Sequence, residues 1–331
     1  MFSLDFNPNS IAVFPNLLNP NPMTLLSLAE TIADSPRTQA MRQFRERFIE
    51  SILFLAAFSC VAITIAIMVI LGTEALSLFG TVSIWEFFTS TTWAPLFEPA
   101  RYGILPLVSG TLTTTVIALS IAIPLGTTIA IFLSEFASPK VRAWVKPILE
   151  LLAGIPTVVY GYFALMLVTP LLQVVLPDLG GFNMLSAGLV MGIMIVPQIS
   201  SMSEDAMRAV PAELREGSYA TGATRLQTAW NVVFPAAFSG VSSSYVLGIS
   251  RAVGETMIVA IASGGQAILS FNPMDGAATM TGYIVSVSMG DLPRGTIGYQ
   301  TIFAVGLLLV LMTLAFNTLG HWLRKRYREQ Y

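Results

Sequence analysis

Six stretches of the chain are poor in charge, and each is long enough for one bilayer crossing, which takes about 20 mostly apolar residues. They fall at about 48–71, 104–133, 150–172, 184–202, 238–263 and 301–322. Residues 52–71, ILFLAAFSCVAITIAIMVIL, and residues 104–133 hold no charge at all. Pro124 sits inside the second run, where a helix is expected to kink. The fifth run differs from the rest, because Arg251 and Glu255 interrupt it. Two of the intervening polar stretches are long. Residues 72–103 hold Trp85, Phe87, Phe88 and Trp93, and aromatic residues suit the headgroup belt. Residues 203–237 are too polar to enter the bilayer and too long for a tight turn.

An even number of spans puts both termini on one side, and the basic residues indicate which. Of the 17 lysines and arginines, 14 precede span 1, separate spans 2 and 3 or 4 and 5, or follow span 6. The opposite loops hold Arg101 and Arg294. The positive-inside rule makes the basic side cytoplasmic, so both termini are expected inside. Residues 1–47 then form a cytoplasmic tail. Residues 1–23, rich in Asn and Pro, do not suit a secretory signal. Residues 24–47 could lie along the membrane surface as an amphipathic helix or remain a plain tail. The membrane domain is 48–331.

Composition excludes other classes. The 331 residues are 54% hydrophobic and 11% charged, against about 25% charged in a soluble domain. A cytosolic enzyme, a nucleic-acid binder and a disordered scaffold are ruled out, and a net charge of -2 argues against a polyanionic partner. One cysteine (Cys60) and one histidine (His321) leave no disulfide and no Cys- or His-based metal site, so no metal and no cofactor is expected. None of Lys140, Lys146 and Lys325 follows a glycine, so the chain lacks a phosphate-cradling P-loop and is not expected to hydrolyse ATP itself. The expected fold is an all-α polytopic membrane protein with six transmembrane helices.

Two features carry chemistry. In 203–237, Pro211 can open a helix, Glu213 and Glu216 suit its early turns, and Gly222 can end it. A second short helix would run towards Pro235. The result is a helix–turn–helix on the cytoplasmic surface, either a folded connector or a docking element. The stretch resembles the EAA loop of ABC importer permeases: Glu-Ala-Ala, three residues, Gly, nine residues, then aliphatic-x-Leu-Pro. Here it runs Glu216-Gly217-Ser218, three residues, Gly222, nine residues, Val232-Val233-Phe234-Pro235. Gly217 and Ser218 depart from the alanines but stay small. The resemblance implies a type I ABC importer permease fold and a loop that docks in a groove of an ATPase subunit.

The second feature is Arg251-Ala252-Val253-Gly254-Glu255-Thr256-Met257 inside span 5. An arginine at a bilayer centre costs about 2.5–3.5 kcal/mol on insertion scales, so it should face protein or water. At i, i+4 on one helix, Arg251 and Glu255 would share a face and could pair. Such a pair could simply fix helix packing, or it could form a polar patch on a path for oxyanions, which the planar guanidinium suits. The segment is similar to the motif of the phosphate branch, and Met257 favours its PstC-type subunit. The stretches Phe88–Pro95 and Tyr102–Leu112 agree, and the resemblance runs from about Arg42 to the C-terminus. It implies half of an ATP-driven phosphate importer in a bacterial inner membrane, partnered by a PstA-type permease, a PstB-type ATPase dimer and an external PstS-type phosphate-binding protein. Sulfate or molybdate would suit the same arginine. An ion-driven secondary transporter would carry charged sites in several spans.

Overall fold

The computed structural model describes residues 36–326 apart from 96 and 294. The expectations for residues 1–35, including the first part of a surface helix, lie outside the described residues. The chain divides into two units, residues 1–67 and 68–331.

The described part of the first unit is helical. Helix α1 (Pro36–Phe79) opens on a proline and meets no Gly or Pro before Gly72, so nothing stops it early. Its 44 residues span about 66 Å at 1.5 Å each, twice a hydrocarbon core of about 30 Å. Residues 36–47 are therefore the opening turns of the first span's own helix and not a separate surface helix. Phe54, Phe58 and their apolar neighbours are exposed, as side chains facing lipid are.

The second unit holds residues 68–79 of α1 and everything after them. After α1 come α2 (Ile84–Thr89) and an antiparallel ribbon of β1 (Trp93–Ala94) and β2 (Arg101–Tyr102), with Trp93 opposite Tyr102. The second span is α3 (Leu105–Ile131), continuous through Pro124 and extended by a π-helical turn, Phe132–Phe136. Next, α4 (Pro139–Gly154) is a separate amphipathic helix, with Ser138 capping it by accepting from the Val141 amide. The third span is α5 (Thr157–Phe163), a π-turn (Ala164–Val168) and α6 (Thr169–Val175). It begins at Thr157, not at 150, because Pro156 holds Ile155 extended and ends α4 first. The fourth span, α7 (Met184–Arg208), overruns its expected end at 202. There follow α8 (Ala212–Ala220), α9 (Arg225–Thr228), a π-turn (Ala229–Val233), α10 (Phe234–Ala236), α11 (Phe238–Val253), α12 (Met257–Ala262), α13 (Met280–Ser286) and the sixth span, α14 (Ile297–Arg326). Among the described residues, five helices are long and apolar enough to cross a membrane, or up to six if 225–236 and 238–253, bent by 75°, count as one span.

The second and fourth spans form the centre. Gly188 and Gly192 lie one turn apart on α7, and each lets α3 approach closely. A Cβ on Gly188 would stand 2.7 Å from Ile117, and one on Gly192 would stand 2.7 Å from the Ala118 carbonyl oxygen. Small residues at this spacing are how membrane helices gain packing without a hydrophobic drive between them. Ala118, Ala122, Met191, Ile195 and Ile199 fill the core beside them.

At the end away from α4 and α8, a second cluster forms. Phe87 and Trp93 are buried there and pack edge-to-face, with Trp93 also 4.9 Å from the Tyr283 ring. They are core residues and not part of an aromatic belt, whereas Trp85 and Phe88 are exposed. The segment after α12 folds back over this end. Ser263 donates to the Ala277 carbonyl at 2.9 Å, and the Met280 amide donates to Thr111 Oγ1 at 3.0 Å.

Candidate functional site

The fifth span is broken where its charges lie. Helix α11 ends at Val253 with Gly254 as its cap, and α12 starts at Met257. Residues 251 and 255 therefore do not share one helix face, and no ion pair joins them among the described residues. The expected Arg251–Glu255 pair is corrected by this break. A glycine is a common place for a helix to stop.

Glu255 is turned to the backbone. It is 8% exposed, and Oε1 accepts from the amides of Met257 at 3.1 Å and Ile258 at 3.4 Å. A carboxylate there satisfies amides that have no partner within α12. The Glu255 carbonyl accepts from Thr281 Oγ1 at 2.6 Å, which ties the restart of the span to α13. Half-buried Thr256 donates to the Gly254 carbonyl at 3.2 Å.

Arg251, on the last turn of α11, is exposed, and Nη1 points to Gln198 Oε1 of α7 at 3.5 Å. Leu247, one turn earlier, and Gly254 are exposed as well. The guanidinium thus lies on an open face of this chain, in a span that carries no other basic residue. Such a group needs water, a ligand or a second protein surface against it.

The 203–237 loop forms at the other end of α11. Pro211 precedes α8, and Gly222 follows it in the left-handed region at φ +87°. The Gly222 amide donates to the Tyr219 carbonyl at 2.9 Å, closing the turn. Thr224 and Gln227 form a reciprocal capping box on α9. Ser218 and Thr228 hydroxyls meet at 2.9 Å and hold the two helices together. Glu216, Gly217 and Pro235 are exposed. No α8 side chain is fully buried.

Two ion-pair groups anchor this end, and neither was visible in the sequence. Arg215 of α8 grips Glu135 of the π-turn with two contacts, Nη2 to Oε1 at 3.1 Å and Nε to Oε2 at 3.2 Å. Glu204, fully buried near the end of α7, lies 3.0 Å from Arg142 Nε, 3.4 Å from Lys146 Nζ and 3.8 Å from Arg208. Lys146 also donates to Asp205 at 3.0 Å. That hydrogen bond raises the Lys146 pKa above its ordinary value; burial opposes the shift, and the charge of Glu204 supports it. The signal in the sequence was only that single acids, Glu135 and Glu204, sit at the edges of apolar runs.

The architecture is that of membrane-length helices with a broken penultimate span and a helical loop at one end of it. Residues 122–329 match the family described as the inner membrane component of binding-protein-dependent transport systems. A probable ABC transporter permease protein, YqgH of Bacillus subtilis, is 36% identical over 91% of this chain and 97% of its own. The phosphate transport system permease protein PstC of Xylella fastidiosa is 33% identical over 85% of this chain and 91% of its own. A bacterial alginate ABC transporter superposes with TM-score 0.64 at 15% identity, over 86% of this chain and 96% of that one. The MetNI methionine ABC transporter gives 0.51 at 20%, over 69% and 95%. At such identity these structures speak for the fold. The chain belongs to the inner-membrane-component family of binding-protein-dependent transport systems and is a permease subunit of an ABC importer with the type I fold.

Proposed function

We propose that this chain is the PstC-type half of a phosphate importer. It lines the route with Arg251 and docks the ATPase subunit through the 203–237 loop. The observation that carries the reading is the exposed guanidinium at the break of the fifth span, within a motif similar to that of the phosphate branch. Relatives named as PstC support it, among them proteins of Xylella fastidiosa and Haemophilus influenzae at 33% and 32% identity. On this reading the open face around Leu247, Arg251 and Gly254 meets a PstA-type permease, and phosphate passes between the two halves. A planar fork of donors can hand an oxyanion from one geometry to the next without losing its charge. Glu255 and Thr256 shape the break.

Exposed Glu216 and Gly217 on α8, with the sharp turn at Gly222, present a short helix to a groove in a PstB-type ATPase, which binds and cleaves ATP. A PstS-type binding protein supplies phosphate from outside, and both termini are cytoplasmic. The test is uptake by the reconstituted complex. Phosphate should be imported with ATP and its binding protein, and excess sulfate or molybdate should not compete. Transport of one of those anions in preference to phosphate would replace the substrate, and uptake without any ATPase would remove the class of mechanism.

A further inference from the structure

We propose that Glu135 and Arg215 are positioning residues that fasten α8 to the end of the second span, so that a push on α8 reaches that span directly. The inference rests on α8 being the helix on which the ATPase subunit acts.

The chain connects α8 covalently to the fourth span on one side and, through α9, to the fifth on the other. It has no covalent link to the second. The polar link between them is Arg215. The guanidinium makes its two contacts to Glu135, and it also donates to the carbonyls of Met207 at 2.8 Å and Val210 at 2.6 Å. One side chain therefore spans the end of α7, the root of α8 and the π-turn of the second span. Glu135 is 3% exposed and Arg215 18%, so water screens the pair little. Ser134 donates to Glu135 Oε1 at 2.7 Å and holds the carboxylate in place.

Elsewhere α8 is held by Ser218, whose hydroxyl meets Thr228 of α9 at 2.9 Å, and by Leu214. Leu214, partly buried, packs on the apolar cluster that holds Ala130 and Ile131 of the second span together with Met207, Val210 and Val233. An apolar contact has no direction, and α8 could slide on it. A two-bond guanidinium–carboxylate fork fixes orientation and register. Residues 214 and 215 face the protein, while their neighbours Glu216 and Gly217 face out. Helix α8 is thus two-sided, and Arg215 is the residue that transmits through it. The same π-turn is held from its other side by Arg142 of α4, whose Nη2 donates to the Leu133 carbonyl at 2.8 Å while its Nε meets Glu204. π-turns in helices are frequent at functional places, and this one is held by two arginines.

Two measurements test the clamp. The first needs no substrate: amide hydrogen exchange of residues 212–220 in the full chain in lipid nanodiscs. Glu135→Gln and Arg215→Gln should each speed exchange there by about tenfold or more, because breaking a buried pair strands a charge. Exchange in α3 and α7 should stay as in the wild type, which checks folding. The double variant should be no worse than the worse single one, since both remove one contact. The second measurement is anion imported per ATP in the complete complex. It should fall severalfold in the single variants while ATP hydrolysis continues. Arg215→Lys, which keeps the charge without the fork, should show a smaller loss of the same kind; it carries the test if the Gln variants do not fold. Unchanged exchange of 212–220, losses that multiply in the double variant, or wild-type import per ATP in Arg215→Gln would overturn the clamp. Failure of the wild-type complex to import phosphate would instead overturn the functional reading and leave the exchange result to decide the clamp.

Discussion

Arg251 and Glu255 are four residues apart, and the chain puts them to different uses. Glu255 turns inward to the amides of α12, and Arg251 stays on the open face. Replacing Arg251 by Gln removes the insertion penalty, so the variant should reach the membrane and assemble normally. Phosphate uptake should nevertheless fall to near background, and Arg251→Lys should be impaired for want of the fork. Uptake at the wild-type rate in assembled Arg251→Gln would end the path role. Glu255→Gln keeps an acceptor for the Met257 and Ile258 amides and should transport nearly normally. Glu255→Ala strips the cap and should lower stability by about 1 kcal/mol, seen as a lower Tm of the purified chain. Equal Tm in the two variants would show that the cap contributes nothing. The charges were legible because they stand alone in an apolar run. Their separation was not, since i, i+4 spacing implies a shared face only while the helix lasts. Gly254 ends it, and a lone glycine inside an apolar run does not by itself say that a helix stops there.

Among elements, the 203–237 loop was the most legible, because its determinants are local: Pro211 before α8, Gly222 after it, small residues between. The left-handed backbone at Gly222 has open space around it, so conformation and not crowding limits substitution. Gly222→Asp should strain the turn by about 1–2 kcal/mol and misalign α8 against α9, with insertion unaffected. Co-purification with the ATPase subunit, or uptake per ATP, should drop. Normal capture together with normal uptake would refute a docking loop. Helix α4 was not legible. Its apolar face merges with the third apolar run, and only the Ile155–Pro156 break shows where one stops and the other starts. The Arg215–Glu135 fork was beyond reach as well, because it joins residues 80 apart in the chain and a single sequence carries no trace of such a meeting.

At the scale of the whole molecule, the spans were legible because the bilayer admits few alternatives to long apolar helices. Their sidedness is an expectation from the basic residues. Reporters fused after residues 100 and 290 should be external, and after 145, 220 and 328 cytoplasmic. A reporter at 220 found outside would sink both the topology and the docking of an ATPase there. The break in the fifth span has a mechanical consequence. A single stiff rod through a membrane pivots as one piece, and its two tips always move together. Here one rod, α11, leans on α14 through Ser250 and Asn317 at 2.9 Å, while the start of the other, α12, is latched to α13 by the Thr281 hydroxyl on the Glu255 carbonyl. In a Cys60→Ser background, spin labels at exposed Leu247 and Ala260 should therefore shift at different stages of the ATP cycle, and lock-step movement would argue for one rigid rod. With a joint between them, the two ends of the span are free to keep separate time, as a pump that must never stand open at both ends requires.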